Sequence, residues 1–205
     1  MPVAIIQGDL YKMATKRIST KEKIIEAAWE LFMEKGYDNT TLNEIIERAG
    51  TSKGAFYHHF RAKEDLLFRM AWYFDRNYTD WTETQDMTRN RVDLLHDYVL
   101  YSTEAVENSR YKSFLPALYG FQVMTEGNRY IMDERREYFQ LMYKLFREGI
   151  HAGQIRDNRS PLDYARIIAA LHRGLTYNWL LSHCQYSLVD SVDALLTPYL
   201  NSIRI

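Results

Sequence analysis

The segment from Thr40 to Phe60 restricts the fold of this chain more than any other part of the sequence. Thr41-Leu42-Asn43-Glu44 has the spacing of a capping box, which predicts the start of a short helix. Gly50 then lies in a tight turn, and Ser52 can cap a second short helix. Two short helices joined in this way form a helix-turn-helix, which places its second helix in the major groove of DNA.

The second of these helices has an inward and an outward face. Phe56 and Phe60 are expected to point inward, which leaves Tyr57 and His58 outside. An exposed aromatic side chain next to a basic helix start indicates a binding partner. The alternative for Tyr57 and His59 is that they pack against the first helix of the domain.

The rest of the chain predicts an all-α fold. Only nine glycines and four prolines occur, and the segments between them have helical periodicity. Ser19-Thr20-Lys21-Glu22 is a further capping box, and Gly36 can end that helix in a left-handed conformation. The apolar stripe of this first helix consists of Ile24, Ala27, Ala28, Leu31 and Phe32. Further helices are predicted from 63 toward 81 and over 91–107, 111–124 with an interruption at Pro116, 128–150, 161–183 and 188–201.

Composition excludes several classes of protein. The lone Cys184 excludes an intramolecular disulfide and suits the cytoplasm, and no apolar run reaches the length of a membrane span. No signal peptide is expected. The net charge of -1 argues against coating nucleic acid, but DNA binding needs only a local basic face. Such a cluster precedes and enters the motif: Lys12, Lys16, Arg17, Lys21, Lys23, Lys53, Arg61 and Lys63.

Nothing in the sequence predicts an enzyme, a cofactor or a metal site. No nucleophile–base spacing or phosphate-binding glycine loop occurs. His172 and His183 are about three helical turns apart, too far for one ion that Cys184 could share. Met13-Ala14-Thr15-Lys16 is a natural start for a basic arm, and Met1 to Lys12 is either an upstream extension or part of the native protein.

Residues 19–67 resemble the DNA-binding domain of the TetR/AcrR family of bacterial transcriptional regulators. The matching positions are Ile25, Ala28, Leu31-Phe32, Gly36-Tyr37, Thr40-Thr41, Ala49-Gly50, Ser52-Lys53-Gly54, Phe56-Tyr57, His59-Phe60, Lys63-Glu64 and Leu66-Leu67. Phe146-Arg147-Glu148-Gly149-Ile150 and Gly174-Leu175 also look like such regulators. Thr51, where Val is common, and Ala62, where a capping residue is common, depart from the pattern.

This resemblance implies two domains, a helix-turn-helix domain over residues 13–65 and a helical ligand-binding and dimerisation domain over residues 66–205. Lys53 is expected to donate to guanine or phosphate, Ala55 to contact a thymine methyl group, and Gly54 to let the helix approach closely. The full predicted DNA-binding set is Thr41, Ser52, Lys53, Gly54, Ala55, Tyr57, His58, His59 and Lys63. Thr41, His59 and Lys63 are expected to bind phosphate.

The last two helices are expected to form a homodimer through a four-helix bundle, although they could instead complete the core of one protomer. The predicted interface is Ile167, Leu171, Leu175, Trp179, Val192, Leu195, Leu196 and Tyr199. The middle helices are rich in tyrosine, which suits a ligand pocket. Its predicted residues are Trp81, Tyr98, Phe114, Phe121, Tyr138 and His172.

The resulting prediction is a ligand-responsive repressor. It would bind a palindromic double-stranded DNA operator as a dimer and be released by a small apolar or aromatic effector. Two alternatives stay open: an activator of the same family, and a helical ligand-binding protein without operator binding. The effector and the operator sequence are not predicted.

Overall fold

The computed structural model describes residues 19–69, 81–124, 126 and 129–205, and every regular element within these ranges is helical. The chain divides into two compact units, one ending at Leu66 and one beginning at Leu67. Lys12, Lys16 and Arg17 of the predicted basic arm lie outside the described residues. Residues 70–80 of the helix predicted from 63 toward 81 also lie outside them.

The first unit contains α1 (Thr20–Lys35), α2 (Leu42–Arg48) and α3 (Lys53–His59), followed by a helix described over 64–69. Both predicted capping boxes, at Ser19 and at Thr41, are present. The predicted apolar stripe of α1 is entirely buried. Trp29 adds to this core, and its indole Nε1 donates to the carbonyl of Leu66 at 3.0 Å. α1 therefore forms the buried core against which the helix-turn-helix packs.

The second unit contains α4 (Arg91–Glu107), α5 (Leu115–Met124), α6 (Glu137–His151), α7 (Pro161–Leu181) and α8 (Leu188–Ile203). Short 3₁₀ turns lie at Lys112–Phe114 and Tyr130–Met132. α7 packs against α5, α6 and α8, while α4 packs against α6 and α8. The core is therefore shared by all five helices.

Three predictions about helix ends need correction. Pro116 does not interrupt a helix, because it lies in the first turn of α5, where a missing N–H costs little. The helix predicted from Asn128 begins at Glu137, because Asp133 Oδ1 accepts from the N–H of Arg135 and forms a turn instead. Gly36 ends α1 with φ 86° and ψ 158°, so its φ is positive but its conformation is not left-handed helical.

Among the described residues, no helix is both long and apolar enough to cross a membrane.

Candidate DNA-binding surface and the cleft of the second unit

The beginning of α3 is an ordered and exposed helix terminus. Ser52 caps it, since its Oγ accepts from the N–H of Ala55 at 3.1 Å. Phe56 and Phe60 anchor the helix, with 0% and 2% of their surface exposed. Lys53 and Gly54 are exposed beside the cap. The free N–H groups and dipole of a helix start favour negatively charged partners.

Tyr57 and the two histidines continue this face. Tyr57 is 51% exposed, although its ring also lies edge-on to Phe56 at 5.5 Å between centroids. His58 is exposed and His59 is half-buried, with their rings 4.8 Å apart. About half of the Tyr57 side chain is therefore open, which disfavours the alternative that it only packs against the first helix.

Thr41 lies at the beginning of α2. Its hydroxyl donates to Glu44 Oε2 at 2.7 Å and accepts from the Glu44 N–H at 3.4 Å. Lys35 also binds the Glu44 carboxylate, and these bonds lower the pKa of Glu44 to about 2. Thr41 is exposed, but its N–H and its hydroxyl are both bound by Glu44, so a phosphate group would have to replace that carboxylate.

Lys63 is placed differently from a free phosphate anchor. Its Nζ donates to the carbonyl oxygens of Tyr37 at 2.7 Å and Thr40 at 2.8 Å, and it lies 4.0 Å from the centre of the Tyr37 ring. Burial lowers the pKa of Lys63. This side chain therefore holds the segment that leads into α2.

The cationic character of this surface is local. Within residues 19–66 Asp and Glu outnumber Lys and Arg. Arg48 is bound by Glu34 at 2.8 Å, and Lys35 is bound by Glu44. No carboxylate in the part of the chain that the structure describes pairs with Lys53. Lys53 is therefore the cation best placed at the beginning of α3.

A buried hydrogen-bonded chain crosses the second unit from α6 to α4. Thr103 Oγ1 donates its proton to the carbonyl of Val99 at 2.7 Å, so it must accept from His172 Nε2 at 3.2 Å. His172 Nδ1 is then the acceptor for the Tyr138 hydroxyl at 2.8 Å. Every group is satisfied with a neutral imidazole. Both ring nitrogens of His172 are engaged, which leaves neither for a metal ion.

Burial is the main reason that the pKa of His172 falls to about 4, and the nearby Arg173 and Arg136 lower it further. Burial also raises the pKa of Tyr138. Both groups are therefore uncharged at neutral pH.

A cleft of about 260 Å³ opens beside the hydrogen-bonded series of Thr103, His172 and Tyr138. It lies between the 3₁₀ turn at Tyr130–Met132, the beginning of α6 and the middle of α7. Its lining is Ile131, Met132, Asp133, Glu134, Arg136, Tyr138, Phe139, Arg166, Ala169, Ala170 and Arg173. Sequence reasoning missed these arginines, because their side chains come from two separate helices and fall outside the aromatic stripe.

The six predicted pocket residues take different positions relative to this cleft. Tyr138 alone among the six lines this cleft. Trp81, Tyr98 and His172 lie behind it in a buried series with Tyr138, with centroid distances of 5.0 Å for Trp81–Tyr98, 6.0 Å for Tyr98–Tyr138 and 5.6 Å for Tyr138–His172. Phe114 is buried against Tyr111, and Phe121 is half-buried on α5.

The predicted dimer residues divide into two groups. Trp179, Val192 and Leu196 are at most 1% exposed, so these three belong to the core of the protomer, which is the alternative that the sequence left open. Leu195 is 51% exposed, and Ile167, Leu171, Leu175 and Tyr199 are half-buried. Sequence reasoning missed Tyr177 and Leu181, which are 48% and 62% exposed on α7.

Comparison with known proteins extends these observations. The family model for bacterial regulatory proteins of the tetR family matches residues 24–70. The HTH-type transcriptional repressor KstR2 of Mycobacterium tuberculosis is 25% identical over 144 residues, which are 67% of this chain and 70% of the relative. The HTH-type transcriptional regulator SrpR of Pseudomonas putida is 27% identical over 188 residues, covering 88% of this chain and 84% of SrpR.

A solved structure shares the fold of nearly the whole chain. The Thermus thermophilus transcriptional repressor FadR, solved in complex with lauroyl-CoA, superposes with a TM-score of 0.71 and 20% identity. The match covers 88% of this chain and 92% of FadR. The relatives are named as regulators of transcription, and no family of enzymes is indicated.

Proposed function

Because this chain belongs to the TetR family of bacterial regulatory proteins, we propose that it is a repressor that binds a palindromic operator as a dimer. A small effector releases it from the operator. The observation that carries this proposal is the capped, exposed beginning of α3, where Lys53, Gly54 and Tyr57 form one open face.

In this proposal the side chains of α3 divide between base and phosphate contacts. Lys53 donates to guanine or to a phosphate group, Ala55 contacts a thymine methyl group, and Gly54 permits the close approach. Tyr57 and His58 reach base edges or the adjacent phosphates. Ser52, Thr41 and His59 bind phosphate, and Lys63 adds to them chiefly by holding the segment before α2.

The proposed dimer uses the open faces of α7 and α8. The exposed positions toward the end of α7 are small, apolar or uncharged, and those of α8 include an equivalent set: Ala170, Gly174, Tyr177, Leu181, Ala194, Leu195 and Pro198. A surface this poor in charge is typical of the centre of an interface. Pairing with a second copy would bury it in a four-helix bundle and set the spacing of the two α3 helices.

The effector site in this proposal is the cleft beside Tyr138. The lauroyl-CoA complex of Thermus thermophilus FadR supports a small molecule with an apolar part as the effector class. Its binding would favour a dimer whose α3 helices no longer match the half-site spacing.

DNA affinity measured over a range of salt concentrations tests the proposal. We expect Lys53→Gln to reduce the slope of log affinity against log salt by about 0.9, because one phosphate-neutralising or base-contacting charge is lost. Lys112→Gln is the matched control, since Lys112 is exposed in the second unit. Fluorescence anisotropy with a labelled duplex gives both slopes. If the unaltered protein shows no salt-sensitive DNA affinity, the proposed function is wrong.

A further inference from the structure

One face of α5 is exposed and carries no charged side chain. Its exposed residues follow the spacing of a single helical stripe and are Pro116, Gly120, Val123 and Met124. Val123 and Met124 are 74% and 72% exposed. No Asp, Glu, Lys or Arg occurs between Lys112 and Glu126. Large apolar side chains that are exposed together, rather than singly, indicate a binding surface.

This face of α5 continues into the open face of α7. The rings of Tyr119 on α5 and Tyr177 on α7 are stacked, with 6.5 Å between their centroids. Val123 follows Tyr119 by four residues and therefore lies on the same side of α5. Leu181 follows Tyr177 by four residues on α7, where both are exposed. The exposed apolar surface therefore extends from α5 across the two tyrosines to α7.

The open face of α7 and α8 is small for a stable dimer on its own. It consists of the exposed positions named above for the proposed dimer and the half-buried Ile167, Leu171, Leu175 and Tyr199. A stable interface uses about 20–30 residues from each partner, which is well beyond this set. An adjoining surface of the same apolar character is therefore needed, and α5 supplies one.

We infer that the apolar face of α5 is a flank of the dimer interface and packs against a second copy of this chain. The inference rests on the proposed dimer of α7 and α8 and extends it to a third helix. A two-fold axis brings the same adjoining surfaces of both protomers to the interface. A strongly charged partner would find no counter-charge between Lys112 and Glu126.

Sedimentation equilibrium of the full chain tests this inference. Val123→Glu and Val123→Lys should each raise the dissociation constant of the dimer roughly tenfold or more, because each dimer would bury two unpaired charges. Val123→Leu keeps the apolar contact and should preserve the dimer. Met33→Glu is the matched control, since Met33 is 39% exposed on α1, outside the proposed interface. Circular dichroism shows that each variant retains its helices.

Thiol modification reports the same contact without adding a charge. Val123→Cys and Met33→Cys, each combined with Cys184→Ser, leave one thiol per protomer for reaction with a maleimide. The reaction depends on access to the thiol. At protein concentrations that favour the dimer, modification of Val123→Cys should slow severalfold relative to dilute protein. Modification of Met33→Cys should proceed at one rate at both concentrations.

Leu195→Glu separates this inference from the proposed dimer on which it rests. A dimer that is weakened by Leu195→Glu but not by either charged replacement of Val123 would overturn the α5 flank alone. Full reactivity of Val123→Cys in the dimer would overturn it as well. A protein that stays monomeric at every concentration would contradict the proposed dimer and the α5 flank together. None of these measurements contains DNA, so they succeed or fail independently of operator binding.

Discussion

Among single residues, Lys63 illustrates how a motif position can have a structural use. The family pattern places a lysine here, and the sequence predicted a phosphate anchor. In the structure its ammonium group donates to the carbonyl oxygens of Tyr37 and Thr40, directly before the cap of α2 at Thr41. A sequence pattern indicates that the lysine is used, but it does not indicate which acceptor the folded chain supplies.

Replacement of Lys63 by methionine should therefore destabilise the first unit. We expect a loss of about 1–3 kcal/mol in the free energy of unfolding, because two backbone carbonyls lose a charged donor. Arg61→Met is the control, since Arg61 is exposed and should change stability by less than about 0.5 kcal/mol. Urea denaturation measures both. Unchanged stability in Lys63→Met, together with weaker DNA binding, would restore the phosphate anchor as its only role.

His172 makes stability depend on pH. Its folded pKa of about 4 lies below the ordinary value of 6.5, so below that value the unfolded chain takes up a proton that the folded chain does not. Its contribution is complete above pH ~6.5 and decreases as the pH falls toward 4. Between pH ~7.5 and ~5 the free energy of unfolding should fall by about 2 kcal/mol on this account.

His172→Gln isolates this effect, because glutamine can still bond to Tyr138 and Thr103 but does not titrate. Urea denaturation at the two pH values should show a smaller decrease for the variant than for the unaltered protein. Equal decreases in both would mean that His172 is not the group responsible.

At the scale of helices, the capping signals predicted the starts well. At the starts of six helices, the side chain of the N-cap residue accepts a hydrogen bond from a backbone N–H of the first turn. These residues are Ser19, Thr41, Ser52, Asn90, Ser160 and Ser187. These signals are local, so the sequence contains them completely. The predicted start of α6 was wrong because this helix has no such local signal. Arg136 precedes it without a side-chain cap, and an apolar pattern alone does not fix a boundary.

Aromatic periodicity predicted burial but not the cleft. Trp81, Tyr98 and Tyr138 are buried as expected of an aromatic stripe, yet only Tyr138 reaches the cleft wall. The stripe depends on the spacing within one helix, whereas a cleft depends on how neighbouring helices separate. Only the three-dimensional structure contains the second quantity.

Gly149 is required by a close approach at the end of α6. A Cβ atom at this position would lie 2.5 Å from Cδ1 of the buried Ile155 and 3.1 Å from Cβ of Arg91. Gly149→Ala should therefore lower the free energy of unfolding by about 1–3 kcal/mol, the usual cost of overpacking.

Gly120→Ala is the matched control in α5, because nothing lies within 4 Å of its added Cβ. It should raise stability by about 0.5–1 kcal/mol through helix propensity. Thermal or urea unfolding compares the two variants. A neutral Gly149→Ala would show that Ile155 moves aside at little cost.

At the scale of the whole molecule, the cleft beside Tyr138 and the proposed dimer face of α7 and α8 both depend on contacts between distant parts of the sequence. The cleft lining comes from the 3₁₀ turn at Tyr130–Met132, the beginning of α6 and the middle of α7, and no local signal in the sequence marks these residues as one site. The division of α7 and α8 into core and open faces follows from the same packing. Helical periodicity alone does not separate these faces, and it therefore grouped the buried Trp179, Val192 and Leu196 with the exposed Leu195.

The first unit was more predictable, because most of the residues proposed to bind DNA lie in one continuous segment. The cap, the turn and the buried anchors of α3 are within a few residues of one another, so the sequence alone defines its exposed face. The proposed operator spacing, in contrast, would depend on how two copies pair through the proposed face of α7 and α8.

Selection of duplexes from a random pool is the most decisive test of operator binding by a dimer. We expect enrichment of a pseudo-palindrome whose half-sites are about 34–36 Å, one helical turn, or a multiple of it apart. Tyr57→Ala should weaken this enrichment, because a base or groove contact worth about 1–3 kcal/mol is lost. Recovery of no enriched sequence by the unaltered protein would mean that it does not bind an operator as proposed.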